Sequence, residues 1–176
     1  VVKVFSFLVP KTQVSLQVAL GDVVEPVAEP ASAPAVPATP LPERAGHAPA
    51  VHDGVELPLV ALAWARSGDK GDDENIGVIA RRPEWLPLLR AQLTPKRVKT
   101  WFAHLVRGDV QRFDVPGLHA LNFVLSQALA GGGVASLRSD PLGKSFAQML
   151  LDLPIQVPRD WVEDGSLASH RPASSH

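Results

Sequence analysis

A chain of 176 residues has room for one compact domain with some appended segments, not for two full enzymes. Seventeen basic residues against eighteen acidic leave a formal net charge of −1, so whole-chain electrostatics favour neither nucleic acid nor an anionic membrane surface as partner. The absence of cysteine excludes a disulfide frame, a thiolate nucleophile and a cysteine-ligated metal site, and suits a cytoplasmic location; no apolar run of roughly 18 to 20 residues offers a membrane span or a secretory signal.

The chain opens on Val1, and its single methionine is Met149, so it reads as a processed chain or the excised end of a longer one. Residues 1–24 carry Val2, Val4, Phe5 and Phe7 to Val9, then Val14, Leu16, Val18 and Leu20 at period 2, which predicts one or two short strands. So short a segment cannot bury such strands alone, and it reads as the edge of a preceding domain or as extra strands. Residues 25–53 hold the proline–alanine stretch EPVAEPASAPAVPATPLPERAGHAPA. Seven of the 17 prolines fall between Pro26 and Pro49, and a semi-stiff, polyproline-like linker follows.

The body spans residues 54–158. Leu57 to Ser67 is an apolar run that predicts a buried strand ending in a polar loop, with NIGVIARR as the returning strand. Pro83 opens a helix whose apolar side is Trp85, Leu86, Leu88, Leu89 and Leu93. Thr94 then caps a second helix, with Pro95 at its first position and Val98, Trp101, Phe102 and Leu105 at i, i+3, i+4 and i+7. DVQRFDV alternates as a strand and stops at Pro116–Gly117. Leu118, Leu121, Leu125, Ala128 and Leu129 fit a third helix, terminated by Gly131 to Gly133. A strand at Val134 to Arg138, a short helix at Ser145 to Leu151 and a strand at Ile155 to Val157 complete the body, and residues 159–176 form a frayed, serine-rich tail. Strands and helices in this order predict an α+β sandwich, a mostly antiparallel sheet with helices packed on one face.

The densest polar cluster is ARSGDKGDDENIG. Gly68 and Gly71 allow close backbone approach, and Lys70 supplies a point charge, so the stretch can meet an anion through exposed N–H groups. Four surrounding acids and the absence of G-x-x-x-x-G-K-[ST] weigh against a phosphate loop. Asp69, Asp72 and Asn75 can instead offer hard oxygen ligands, yet the EF-hand order is missing, and no metal site is assigned. The plainest alternative is an acidic hairpin tip whose Asp and Asn side chains cap their own backbone. Of six histidines only His104 and His119 belong to the body. His104 flanks an apolar helical stripe, and His119 would start the third helix with Asn122 one turn later. No G-x-S-x-G elbow is present around Ser67, Ser126, Ser136 or Ser145, which disfavours a serine hydrolase. Eight basic residues between Arg81 and Arg112, against Glu84 and Asp109, form either a solvated helical side or a face for the phosphates of an acyl-CoA.

Two long stretches, ARSGDKGDDENIGVIARRPEWLPLLRAQLTPKRVKTWFAHLV and GLHALNFVLSQALAGGGVASLRSDPLGKSFAQMLLDLPI, resemble the C-terminal domain of the acyclic terpene utilisation (AtuA) family over roughly Leu59 to Ile155. The ordered set SGDKGD, NIGVIAR, FAHLV, ALNFVL and LGK carries the resemblance. It implies a ferredoxin-like domain joined by a variable linker to a large N-terminal domain, whose end FLVPKTQVSLQVAL resembles. It also implies bacterial breakdown of acyclic terpenes such as citronellol and geraniol through branched acyl-CoA intermediates, in a lyase-type or hydratase-type step.

The positions matching the family's motifs are Arg66, Ser67, Gly68, Asp69, Lys70, Gly71, Asp72, Asn75, Gly77, His104, Asn122 and Lys144. Two readings follow. In the first, Asp69, Asp72 and His104 perform acid–base work while Arg66, Ser67, Gly68, Lys70, Gly71, Asn75, Asn122 and Lys144 bind a carboxylated or CoA-linked terpenoid; the cofactor is unknown. In the second, the domain is a non-catalytic assembly module that docks the large N-terminal domain or another copy in a homo-oligomer. Neither reading invokes nucleic acid or a membrane.

Overall fold

The computed structural model describes residues 7–28, 51, 53–165 and 167. Backbone contacts divide the chain into a small unit within Lys3–Pro42 and a larger unit that begins at Glu43. In the small unit, β1 (Gln17–Leu20) and β2 (Val23–Pro26) pair antiparallel around Gly21–Asp22, and every residue of both strands is exposed. The period-2 apolar residues Val14 to Leu20 thus supply one strand and its approach. The predicted proline-rich linker falls largely outside the described residues.

In the larger unit, the single strand predicted over Leu57 to Ser67 is two. β3 (Gly54–Pro58) ends at a 3-10 turn over Leu59–Ala61, and β4 (Ala63–Lys70) begins in a different sheet. Pro58 lacks the N–H that would continue a ladder, and Leu59, Ala61 and Leu62 bury themselves at the corner. β3 pairs antiparallel with β8 (Pro154–Pro158), Val55 opposite Val157 and Leu57 opposite Ile155, which ties the two ends of the body together.

The main sheet has four strands in the order β4-β5-β7-β6, all antiparallel, with β5 over Asp73–Ala80, β6 over Val110–Val115 and β7 over Ala120–Leu125. Side chains alternate across it. Ile76, Val78, Leu121, Phe123 and Leu125 point to a covered face and are essentially sealed. On that face lie α1 (Leu86–Gln92), α2 (Pro95–Trp101) and α3 (Phe146–Leu151), with α2 against β6 and α3 against β4 and β5. Phe102 and Phe146 stack with centroids 5.2 Å apart, and the Trp101 indole N–H donates to the Met149 carbonyl at 2.8 Å, so α2 and α3 are joined by both packing and a hydrogen bond. Thr94 caps α2 as its sequence predicts, its hydroxyl accepting the Arg97 N–H at 3.2 Å. The fold is α+β, a mostly antiparallel sheet with helices on one face.

Three predicted elements are different in the structure. The third helix is strand β7: Leu121, Phe123 and Leu125 use period 2, and the helical spacing of Leu118, Leu121, Leu125 and Leu129 arises across a turn, a strand and a loop. His119 therefore sits with positive φ at the β6–β7 turn rather than one helical turn from Asn122, and Gly131 to Gly133 end no helix. Val134 to Arg138 is not a strand; Gly133–Ala135 is a 3-10 turn, and the Arg138 guanidinium donates to the carbonyls of Leu105 and Ala128. Beyond Arg159 the chain is not frayed at once. α4 (Asp160–Glu163) places Trp161 against Trp85 with centroids 5.8 Å apart, and Arg159 pairs with Asp53 at 2.9 Å. Among the described residues no helix is long and apolar enough to cross a membrane.

Candidate functional site

The polar stretch predicted as a loop is a tight hairpin. Ser67 to Lys70 finish β4, Asp73 to Asn75 begin β5, and only Gly71 and Asp72 turn between them, Lys70 facing Asp73 in register. Gly71 has φ +72°, the left-handed region that glycine enters without a Cβ penalty. Its carbonyl also packs so closely on Gly132 that a side chain at Gly132 would collide with it.

Two loops are gathered onto this hairpin, each by a side chain of it. At the tip, Asp72 Oδ1 accepts the Gly131 N–H at 2.6 Å, Asp73 Oδ1 accepts the Gln127 N–H at 3.0 Å, and the Asp72 carbonyl accepts from Ala128 and Leu129. Both carboxylates bind backbone amides of the segment after β7. At the edge, the buried Ser67 hydroxyl donates to the Gly143 carbonyl at 2.7 Å and accepts the Ala147 N–H at 2.9 Å, while the Asp69 N–H donates to the Leu142 carbonyl at 3.1 Å. The docked segment is the LGK motif with its neighbours. It is wound around Asp140, whose carboxylate accepts the amides of Lys144 and Ser145 and the Ser145 hydroxyl at 2.9, 2.8 and 2.6 Å. Burial works against ionisation of Asp140, but these hydrogen bonds outweigh it and hold the carboxyl below its ordinary value.

Under that segment lies Glu74, the last acid of the polar stretch. It is fully buried on the covered face of β5, and neither oxygen has a hydrogen-bond partner; the amides of Gly68 and Asn75 pull on it without forming a proper bond. Gly143, at φ +64°, rests directly on the carboxyl group, where any side chain would collide with it. Burial pushes the Glu74 carboxyl up to about 7, with the like charge of Asp140 adding to the rise, while the amides of Gly68 and Asn75 and the Lys144 ammonium oppose it. One signal was legible: Glu74, Ile76, Val78 and Ala80 alternate along a single strand, which puts Glu74 on the apolar face.

The opposite face of the sheet is open. Trp64, Ile79 and Phe113 remain 52, 43 and 49% exposed, and the exposed Arg66 makes no hydrogen bond or ion pair with any described residue. Arg66 stands across Gly77 from Asn122 in register, and glycine at 77 leaves the middle of this row without a side chain. Beside it, Asn75 Nδ2 donates to Asn122 Oδ1 at 3.0 Å and to the Phe123 carbonyl at 3.2 Å. That pairing uses the Asn75 donors and leaves the Asn122 amide N–H groups unpaired among the described residues. At the β4 edge the Lys144 ammonium comes 3.6 Å from Asp69 and lies close over Gly68, where a Cβ would stand 2.9 Å from Nζ.

The structure thus brings the sequence-predicted residues into two groups. Ser67, Gly68, Asp69 and Lys144 meet at the β4 edge; Arg66, Asn75 and Asn122 share the open face. Gly71 and Asp72 sit at the tip, with Asp72 occupied by a backbone amide, and the exposed Lys70 donates to the Asp69 carbonyl at 2.9 Å. His104 lies in the exposed turn after α2, and no hydrogen bond joins it to either group among the described residues. The basic run is not one face. Arg90 pairs with Asp114 at 2.9 Å and Lys99 with Asp109 at 2.8 Å, Arg97 donates to the Pro154 carbonyl, and Arg112 caps the end of α1 at the carbonyls of Arg90 and Leu93. Among the described residues no three His, Asp or Glu side chains are grouped to hold a metal ion.

No curated protein and no solved structure gave a significant match. The family described as AtuA ferredoxin-like domain matches residues 57–156, which span the whole four-stranded sheet, its covering helices and all but the first three residues of β3 and the last two of β8. Since that match takes in more than half of the chain, the protein belongs to the AtuA ferredoxin-like domain family.

Proposed function

We propose that this domain is the C-terminal module of an AtuA-type protein of acyclic terpene catabolism and that the open face of its main sheet is the working surface. That face docks on the large N-terminal domain of the family and presents Arg66, Asn122 and, from the β4 edge, Lys144 to the anionic head of a branched acyl-CoA or carboxylated terpenoid undergoing a lyase-type or hydratase-type step. The observation that carries this reading is the unpaired Arg66 beside the Asn75–Asn122 pair, amid exposed Trp64, Ile79 and Phe113. An arginine fork matches a carboxylate or phosphate, the Asn122 N–H groups add neutral donors, and the aromatic rings accept a hydrocarbon chain or an apolar partner surface. Asp72 supports the tip instead of reaching a ligand, and Asp69 shares its charge with Lys144.

The test uses the protein together with its large domain. Arg66→Ala and Asn122→Ala should each lower turnover of a branched acyl-CoA by about tenfold or more with folding and association unchanged, consistent with the loss of one or two charge-assisted hydrogen bonds. Turnover equal to that of the parent in both variants would defeat ligand contact. Exposed apolar residues favour docking independently, so Trp64→Ser is expected to weaken association with the large domain measured by light scattering; unaltered association would remove that part.

A further inference from the structure

The buried Glu74 carboxyl has a consequence separate from whatever the open face binds. Its oxygens are sealed by the segment Asp140–Ser145, and the seal is Gly143, the one residue type whose missing side chain allows this approach. The closed segment is tied to β4 by few bonds, from Ser67 Oγ to the carbonyls of Gly143 and Lys144 and from the Asp69 N–H to the Leu142 carbonyl. A neutral carboxylic acid tolerates such a place. An ionised one does not, because it accepts no hydrogen bond there and cannot be hydrated while Gly143 covers it.

The charged groups around Glu74 reinforce this. From the covering segment come Asp140, whose like charge disfavours ionisation, and Lys144, whose ammonium favours it. From β4, Asp69 stands opposite in register and is ion-paired with Lys144 at 3.6 Å, which spends part of that cation. β7 sets Leu125 opposite Glu74, and the buried residues of α3, the helix that packs on β4 and β5, are Phe146, Ala147 and Leu150, all apolar.

We propose that Asp140–Ser145 is a proton-controlled latch, closed over the β4–β5 hairpin through Gly143 while Glu74 is protonated and lifted from it when Glu74 ionises, so that water and Lys144 reach the carboxylate. Ionisation falls near neutrality, since burial pushes this carboxyl up to about 7. Lifting breaks the Ser67 and Asp69 contacts, the Lys144–Asp69 ion pair and the bond from the Gly133 N–H to the Pro141 carbonyl, while the hydrogen bonds of Asp140 to Lys144 and Ser145 stay within the segment.

Hydrogen exchange of the whole chain, corrected for the intrinsic pH dependence of the rate, reads the latch at two amides that bond to carbonyls of the segment from outside it, Asp69 N–H to Leu142 and Gly133 N–H to Pro141. Between about pH 6 and about pH 8 their protection should fall about tenfold or more, while Glu74→Gln, neutral at both, should keep it constant. Should Glu74→Gln fail to fold, Lys144→Gln on the exposed side decides: losing the cation that favours ionisation should move the opening to higher pH. Protection independent of pH in the parent, the same loss in Glu74→Gln, or an unmoved midpoint in Lys144→Gln would each overturn the latch.

Discussion

The two faces of the main sheet are built from alternate residues of the same four strands, yet they obey different rules. On the covered face, Ile76, Val78, Leu121, Phe123 and Leu125 are sealed, and two of its polar members are committed inward, Ser67 to the Gly143 carbonyl and Glu74 to a place closed to solvent. On the open face, Trp64, Arg66, Ile79 and Phe113 keep their exposure, and the asparagines pair only with each other and one carbonyl. The difference teaches where selection for stability ends and room for recognition begins: a face already filled has no spare donors, whereas the open one has them at its centre.

Substitutions can break or sharpen that contrast. The largest effect should come from Phe123→Ala in the covered layer, where a fully buried ring is removed and the cavity refills only in part; a loss of about 3–5 kcal/mol in denaturant unfolding is expected. A loss well under ~1 kcal/mol would mean that the helices do not seal this face.

Next comes the dependence of stability on pH. The folded chain keeps on Glu74 a proton that the unfolded chain releases near 4.5, and it gives that proton up only near 7. This group's contribution is therefore complete below about 4.5, declines as the pH rises through the window between those values, and is constant above about 7. Asp140, held below 3.8, works the other way and only at more acidic pH. Thermal midpoints of the parent should fall across that window, and those of Glu74→Gln should not; parallel curves for the two proteins would contradict the buried-acid account.

The smallest effect belongs to the open face. Phe113→Ser should cost about 1–2 kcal/mol by the same unfolding measurement, less than Phe123→Ala, because a half-exposed ring gives up only about half of its burial. A large destabilisation there would show that the face is covered in the isolated chain and cannot serve as a free surface.

How much of this was legible depends on whether one residue or a distant partner sets the outcome. The helix at Pro95 was readable because its determinants are local, a capping Thr94, a proline at the first position and an apolar stripe at 3.6-residue spacing. β6 and β8 were readable for the same reason. β7 was not, because Leu121 and Leu125 fit either period, and what decides between them is a ladder to β5 and β6 formed by residues far away in the chain. The candidate site divides likewise. Asn75 and Asn122 were picked out singly, but that they touch is a matter of register, 47 positions apart.

Composition, helix caps and alternating strands by themselves determined an α+β chain with a proline-rich stretch, and the ordered motifs determined its family, since all of these are written in short windows. Tertiary structure alone decided that Asp72 and Asp73 are backbone clamps, that Glu74 lies buried beneath Gly143, and that Arg66 shares a face with Asn122. The physical reason is that the cost of a charge, and hence what a charged side chain can do, is set by which distant segment comes to cover it or leaves it in water.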